Sequence, residues 1–124
     1  MIVDPGQRRA DIWNAGGAPT LLACKDGSVQ PFTRPGTPLG GGETEWGHSV
    51  TSFGPGERLM LLSDGLLETR TRDGRRFGLR QLCALFGPQT HSSPGQLARS
   101  VRTATDEGAE DDRSLVLVSW PAEG

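Results

Sequence analysis

The chain has 124 residues, a formal net charge of −2, eighteen glycines, nine prolines and two cysteines. So much Gly and Pro argues for many turns and against an all-helical bundle, and arginines matched by carboxylates leave no basic footprint for nucleic acid. No apolar stretch approaches the roughly 20 residues of a membrane span, and no basic segment followed by an apolar run opens the chain, so no membrane insertion and a cytoplasmic location are expected.

In chain order the first half reads as strands and turns. Asp11-Ile12-Trp13 is a short strand candidate, and Thr20 to Cys24 is another. Asp26-Gly27 supplies a hairpin turn into Val29 to Phe32. Arg34 to Gly42 is a Pro/Gly-rich loop, after which Trp46, His48 and Val50 alternate with Gly47, Ser49 and Thr51 at strand period. Gly54-Pro55-Gly56-Glu57 is a turn leading into Arg58 to Ser63, a run apolar enough in its middle for a strand covered on both faces.

The second half mixes helix and strand. Leu79, Leu82, Cys83 and Phe86 recur at helical spacing, which predicts an amphipathic helix over Gly78 to Phe86. Ser93 as N-cap, Pro94 at the first helical position and Gln96 closing a capping box predict a second helix from Pro94 to about Asp106. It would bury Leu97, Val101 and Ala104 and end before Gly108. Ser114 to Trp120 reads as a second buried strand. Strands, then helices, then a strand make an α+β pattern.

Two acidic positions carry candidate chemistry. Ser63-Asp64-Gly65 follows one core strand directly, and Glu110-Asp111-Asp112 precedes another. If those strands are neighbours, their carboxylates meet at one edge of the sheet, and like charges held together repel. A divalent cation relieves that repulsion, and oxygen-only ligation suits Mg²⁺ or Mn²⁺. An Asp-Gly after a strand also reads as a plain turn, and an acidic run after a helix as a solvated loop; both readings stay open on residue pattern alone. Gly40-Gly41-Gly42 lacks the Lys and Ser/Thr of a phosphate-binding loop. Cys24 and Cys83 read as buried, reduced thiols. His48 reads as packed, His91 as exposed, and the three tryptophans as core or sheet-edge packing. Arg70 to Arg76 reads as a basic, solvated hairpin tip, with contact to a phosphoprotein as the second option.

Asn14-Ala15-Gly16-Gly17-Ala18-Pro19, then Gly36-Thr37-Pro38-Leu39-Gly40, then Gly56 through Glu68, then Phe77-Gly78, then Asp111-Asp112-Arg113-Ser114 stand in that order along nearly the whole chain. This series resembles the SpoIIE/RsbU branch of the PPM (PP2C-like) protein serine/threonine phosphatases. The resemblance implies a β-sandwich flanked by helices, with a two-metal site at one end of the sandwich. Asp64 and Asp111 match the family's metal-binding aspartates, with Gly65 and Asp112 supporting; Glu68 matches a common Glu of no assigned role. The implied cofactor is Mn²⁺ or Mg²⁺, and the implied reaction is direct hydrolysis of phosphoserine or phosphothreonine. The implied partner is a phosphoprotein, of which anti-sigma-factor antagonists are the usual example in this branch.

The chain departs from the family in two ways. It lacks the Gly-Gly-Asp-type motif that supplies a further metal-binding Asp, and it has Gly17 where the branch commonly has His. On the family's landmarks Met1 to Pro5 falls on a mid-domain strand, so residues 1–124 are expected to form one partial, C-terminal half of the domain. Such a half arises as a fragment, as a short chain that pairs with another and no longer catalyses, or as the complement of a separately encoded N-terminal half. A non-catalytic interaction module on the same fold is therefore the alternative to a phosphatase.

Overall fold

The computed structural model of the chain describes residues 1–40, 42, 46–89, 91–105 and 112–122. Among these residues seven strands form two antiparallel sheets. One sheet holds β1 (Ile2–Asp4), β2 (Arg9–Asn14) and β5 (Gly47–Ser52) in the order β1-β2-β5. The other holds β3 (Thr20–Ala23), β4 (Val29–Phe32), β6 (Arg58–Leu62) and β7 (Leu115–Ser119) in the order β4-β3-β6-β7. Helix α1 (Asp64–Glu68) follows β6, and α2 (Gly78–Phe86), a 3-10 turn (Gly87–Gln89) and α3 (Pro94–Ala104) precede β7.

The period-2 alternation of strand side chains explains the layering. In the second sheet Leu21, Met60 and Leu117 face one way and join Leu82, Phe86, Leu97 and Val101 of the helices. Leu22, Leu59 and Val118 face the other way and meet Ala10 and Ile12 of the first sheet, with Phe53 and Trp120 in edge-to-face contact at 5.7 Å. The four-stranded sheet is thus the middle layer, which is why Thr20 to Ala23 is buried along its whole length. Each fully buried Leu or Phe contributes about 1.5–3 kcal/mol, so two such clusters dominate what holds the layers together.

The strand runs and the two longer helices stand where the sequence places them. The capping box of α3 forms, with Ser93 Oγ accepting from Gln96 N at 3.2 Å and Gln96 Oε1 accepting from Ser93 N at 2.7 Å. This helix ends at Ala104, and Gly108 lies outside the described residues. Arg58 opens β6 but is only 6% exposed. Its guanidinium donates to Ser119 Oγ, Gln89 O and Ser92 O at 3.0, 3.2 and 2.6 Å, tying β6 to the connection between α2 and α3.

Several expectations are corrected. Strand β7 is half-buried, with Val116 59% exposed, because it is the edge strand of its sheet. The free cysteines Cys24 and Cys83 are half-buried, and burial pushes the Cys83 thiol up. Trp13 and Trp46 are exposed; only Trp120 reaches the core. Trp13 lies on the outer face of β2, where its ring stacks on His48 at 4.5 Å between centroids. On that face Arg9 donates to both oxygens of Asp11 at 2.7 and 2.6 Å, and His48 Nε2 stands 3.0 Å from Asp11 Oδ1. The Arg9 hydrogen bonds, with help from His48 and against partial burial, hold the Asp11 carboxyl down at about 2.

Candidate functional site

The strand registers bring the chemistry-bearing segments to one end of the sandwich. β2 ends at Asn14 opposite the first residue of β5, Gly47. Only five residues then lead to Thr20, the start of β3, which pairs with Phe32, the end of β4. β6 runs antiparallel to β3, so its last residue, Leu62, lies at this end, opposite Leu115 at the start of β7. The loop 14–19, the loop after Phe32, the Ser63-Asp64-Gly65 turn and the approach to β7 therefore share one end.

The loops there are packed by glycine. A Cβ on Gly36 would sit 1.8 Å from the Asn14 carbonyl oxygen, and one on Gly47 would sit 2.5 Å from the Arg34 carbonyl oxygen. No side chain fits at either place, so the Arg34-Pro35-Gly36 segment lies directly on the backbone of β2 and β5. Asn14 closes its own loop, with its Oδ1 accepting from Gly17 N at 2.9 Å and its Nδ2 donating to Gly17 O at 3.1 Å. Gly17 itself has open space where a Cβ would stand.

Asp64 is the first residue of α1, a five-residue helix that the sequence pattern does not announce, because Gly65 interrupts it. Its carboxylate is exposed, whereas Gly65 and Leu66 are buried and anchor the turn. Ser63 occupies the N-cap position but makes no side-chain cap. Such a cap is worth about 0.5–2 kcal/mol. The Ser63 hydroxyl instead reaches across to the chain leading into β7, accepting from Ser114 N at 2.9 Å and donating to Asp112 O at 3.1 Å. Ser63 N also donates to Ser114 O at 3.0 Å.

Asp112 is exposed, and its backbone carbonyl is joined to the Asp64 segment by the Ser63 hydroxyl. Asp111, the second expected ligand, lies outside the described residues. Arg113 Nη1 donates to Thr105 Oγ1 at 3.0 Å, and the buried Thr105 hydroxyl donates to Val101 O at 2.8 Å. The chain on either side of residues 106–111 is thereby held to α3. A cleft of about 660 Å³ opens beside it, lined by Leu66, Val101, Arg102, Asp112, Arg113 and Leu115. The Arg70 to Arg76 stretch is a solvated hairpin, with Thr71 bridging to Thr105. Sequence reasoning passed over Ser63, Thr105 and Arg113 as working residues. Ser63 alone carried a signal, a capping residue before an acidic first turn.

The donors described at this end, Asp64 and Asp112, are oxygens, which fits a hard cation. Mg²⁺ in particular keeps several waters and takes one or two carboxylates from the protein. Among the described residues no group of three or more His, Cys, Asp or Glu is placed to hold a metal ion. Two exposed carboxylates, Asp64 and Asp112, are what the described residues offer at this end.

The family described as Stage II sporulation protein E (SpoIIE) matches residues 1–121. No curated protein matches the chain by sequence. Among solved structures, the SiaA-PP2C domain of Pseudomonas aeruginosa superposes with a TM-score of 0.75 at 19% identity, over 95% of this chain and 49% of that one. The RsbU and RsbW domains of a Mycobacterium tuberculosis protein give 0.73 at 21% identity, over 95% of this chain and 34% of that one. The phosphatase domain of SpoIIE from Bacillus subtilis, in its Mn-presoaked form, gives 0.71 at 18% identity, over 99% and 56%. These likenesses are of fold, and the chain spans between a third and just over half of the chains it matches.

Proposed function

The chain belongs to the SpoIIE family of PP2C/PPM-type phosphatase domains, and from that premise we propose that it works as part of a metal-dependent phosphatase acting on phosphoserine or phosphothreonine in a protein. One observation supports this reading most: the turn carrying Asp64 and the approach to β7 are joined side by side through Ser63 at one end of the sandwich. Asp64 and Asp111 would hold Mn²⁺ or Mg²⁺, with Gly65 and Asp112 supporting. Mn²⁺ is the first ion to try, since the Bacillus subtilis relative was presoaked with Mn. When bound, such ions supply water activation and charge neutralisation at the phosphoryl oxygens.

The residues of this chain orient and hold. The buried Gly65 and Leu66 anchor the turn that carries the Asp64 carboxylate. The cleft beside Asp112 gives a substrate segment room next to the acidic residues. The substrate is read as a phosphoprotein, with an anti-sigma-factor antagonist as the family's example, and the location as cytoplasmic. Among the described residues no helix is long and apolar enough to cross a membrane.

The test is phosphate release from a phosphoserine peptide by a complete phosphatase domain carrying this sequence. Activity is expected only with added Mn²⁺ or Mg²⁺, and Asp64→Asn is expected to abolish it. Undiminished activity of that variant, or activity in excess chelator, contradicts the reading. The second reading is a non-catalytic interaction module on the same fold. It predicts a folded chain without site-specific Mn²⁺ binding.

A further inference from the structure

We infer that the hairpin of residues 70–76 docks acidic side chains, so that the phosphoprotein segments this domain takes are those with carboxylates beside the phosphorylated residue. The inference rests on the phosphoprotein reading above and narrows it to a class of segment. Over residues 69–105 the chain carries seven arginines and one acidic residue, Asp73, although its formal net charge is −2. All seven arginines are exposed. Five of them, Arg70, Arg72, Arg75, Arg76 and Arg80, fall on the hairpin or in the first turn of α2.

The hairpin is an ordered element. Phe77 N donates to Thr69 O at 2.8 Å, Thr71 N to Arg75 O at 2.7 Å and Gly74 N to Thr71 O at 2.9 Å. Phe77 is buried in the helix-side core at its root, and Thr71 bridges to Thr105 at the end of α3. Arg70 and Arg76 are antiparallel partners, so their side chains leave the backbone on the same face, where directly opposed like charges are destabilising. Arg70 Nη1 donates to Gly74 O at 2.8 Å, and Arg75 Nε stands 3.4 Å from Asp73 Oδ2. Among the described residues Arg72, Arg76 and Arg80 make no ion pair. The fold thus sets two arginines side by side, and no described carboxylate neutralises Arg76. Guanidinium forks of this kind pair best with carboxylate or phosphate oxygens. The position suits a substrate contact, because α1 runs from Asp64 to Glu68 and the hairpin starts two residues later. Leu66 of α1 and Arg102 of α3 line the cleft of about 660 Å³. The hairpin therefore stands beside the Asp64 end of the sandwich, where a phosphorylated segment would lie.

The experiment measures binding of two fluorescent phosphoserine peptides to the chain by anisotropy, one with glutamates and one with glutamines beside the phosphoserine. The wild-type chain is expected to bind the glutamate peptide more tightly, with a preference that shrinks as salt screens it. Arg72→Gln and Arg76→Gln are each expected to weaken binding of that peptide about threefold, within what an exposed ion pair contributes, and the double variant about tenfold. Lys25→Gln removes the same charge from the exposed turn between β3 and β4, at the opposite end of the sandwich, and is expected to bind as wild type does. A thermal melt accompanies each variant. Arg76→Gln relieves the opposed charges, so its midpoint is expected to match or exceed that of wild type.

Equal affinity of wild type and the double variant for the glutamate peptide overturns the docking role, and so does a wild-type chain that binds both peptides alike. A loss in Lys25→Gln as large as in Arg76→Gln shows attraction to net charge alone and overturns it too. Binding of phosphatidylserine vesicles in place of the peptide, with the same dependence on Arg72 and Arg76, overturns it in favour of a membrane surface. A loss that tracks a lowered melting midpoint reduces these arginines to structural residues. The binding assay needs no catalysis, so failure of the metal-dependent reaction would be seen separately, in phosphate release by Asp64→Asn.

Discussion

Replacing Gly36 by alanine is expected to cost this chain a large share of its stability, and the cause is a single contact. The new Cβ would lie 1.8 Å from Asn14 O, 2.8 Å from Asn14 C and 2.9 Å from Gly47 N. All three are backbone atoms of paired strands, so no side-chain rotation relieves the overlap. Contact at an ordinary carbon–oxygen separation requires the loop to lift by more than an ångström, which breaks its packing on the end of β2 and β5. Overpacking of this kind costs about 1–3 kcal/mol and sometimes more, and the rigid neighbours put Gly36→Ala at about 3 kcal/mol. For a chain of this length each kcal/mol moves the melting midpoint by roughly 3–5 °C. A fall of roughly 10 °C in a circular-dichroism melt, with a lower urea midpoint at unchanged slope, is the expected result. Gly17→Ala is the control, since nothing stands within 4 Å of its added Cβ, and it should stay within about 0.5 kcal/mol of wild type. Equal stability of the two variants would refute the claim that this loop is seated on the strand ends. For the same reason Gly17→His, which restores the residue common in the family, should fold as well as wild type.

Two further predictions concern side chains away from the site. The Asp11 carboxyl is held down at about 2 chiefly by the Arg9 hydrogen bonds. A folded pKa below the unfolded value of about 3.9 contributes stability that is present above pH ~4 and lost as pH falls toward 2. The stability gap between wild type and Asp11→Asn should therefore be constant at neutral pH and close across that acid window in urea melts; a gap that stays open at pH ~2 contradicts it. Thr69 is 5% exposed, and its Oγ1 has no hydrogen-bond partner among the described residues. Replacing an unsatisfied buried hydroxyl by a methyl group of like shape should stabilise by about 1 kcal/mol, so Thr69→Val is expected to raise the melting midpoint, and a lowered midpoint would show that the hydroxyl is satisfied in solution.

Much of the fold was legible because local and tertiary signals agreed. Leu79, Leu82 and Phe86 share one face of α2, and Ser93 with Gln96 caps α3, so those elements could be read off directly. Arg58 to Leu62 announced a strand covered on both faces because both its neighbours are apolar layers. The exposure of β7 was illegible: Leu115 to Ser119 is as apolar as β6, and only the sheet order shows that it lies at an edge. Trp13 misled in the same way, since its large ring packs on His48 across the outer face of the sheet. At the candidate site, the strand ends bring the Asp64 turn and the approach to β7 together only on the condition that β6 and β7 are neighbours, which they are, while Asp111 lies outside the described residues. The link that joins them was illegible, because a hydrogen bond between Ser63 and residues some fifty positions away leaves no trace in local spacing.

If Asp64 and Asp111 serve one cation, a double-variant cycle on Mn²⁺ affinity will show it. Free Mn²⁺ would be followed by electron paramagnetic resonance in wild type, Asp64→Asn, Asp111→Asn and the pair. Residues that share a ligand couple by about 0.5–3 kcal/mol, whereas independent sites add to within about 0.5 kcal/mol. Each single variant is expected to lose most of the binding, and the pair little more. Additive losses, or a single variant that binds as wild type does, would contradict it.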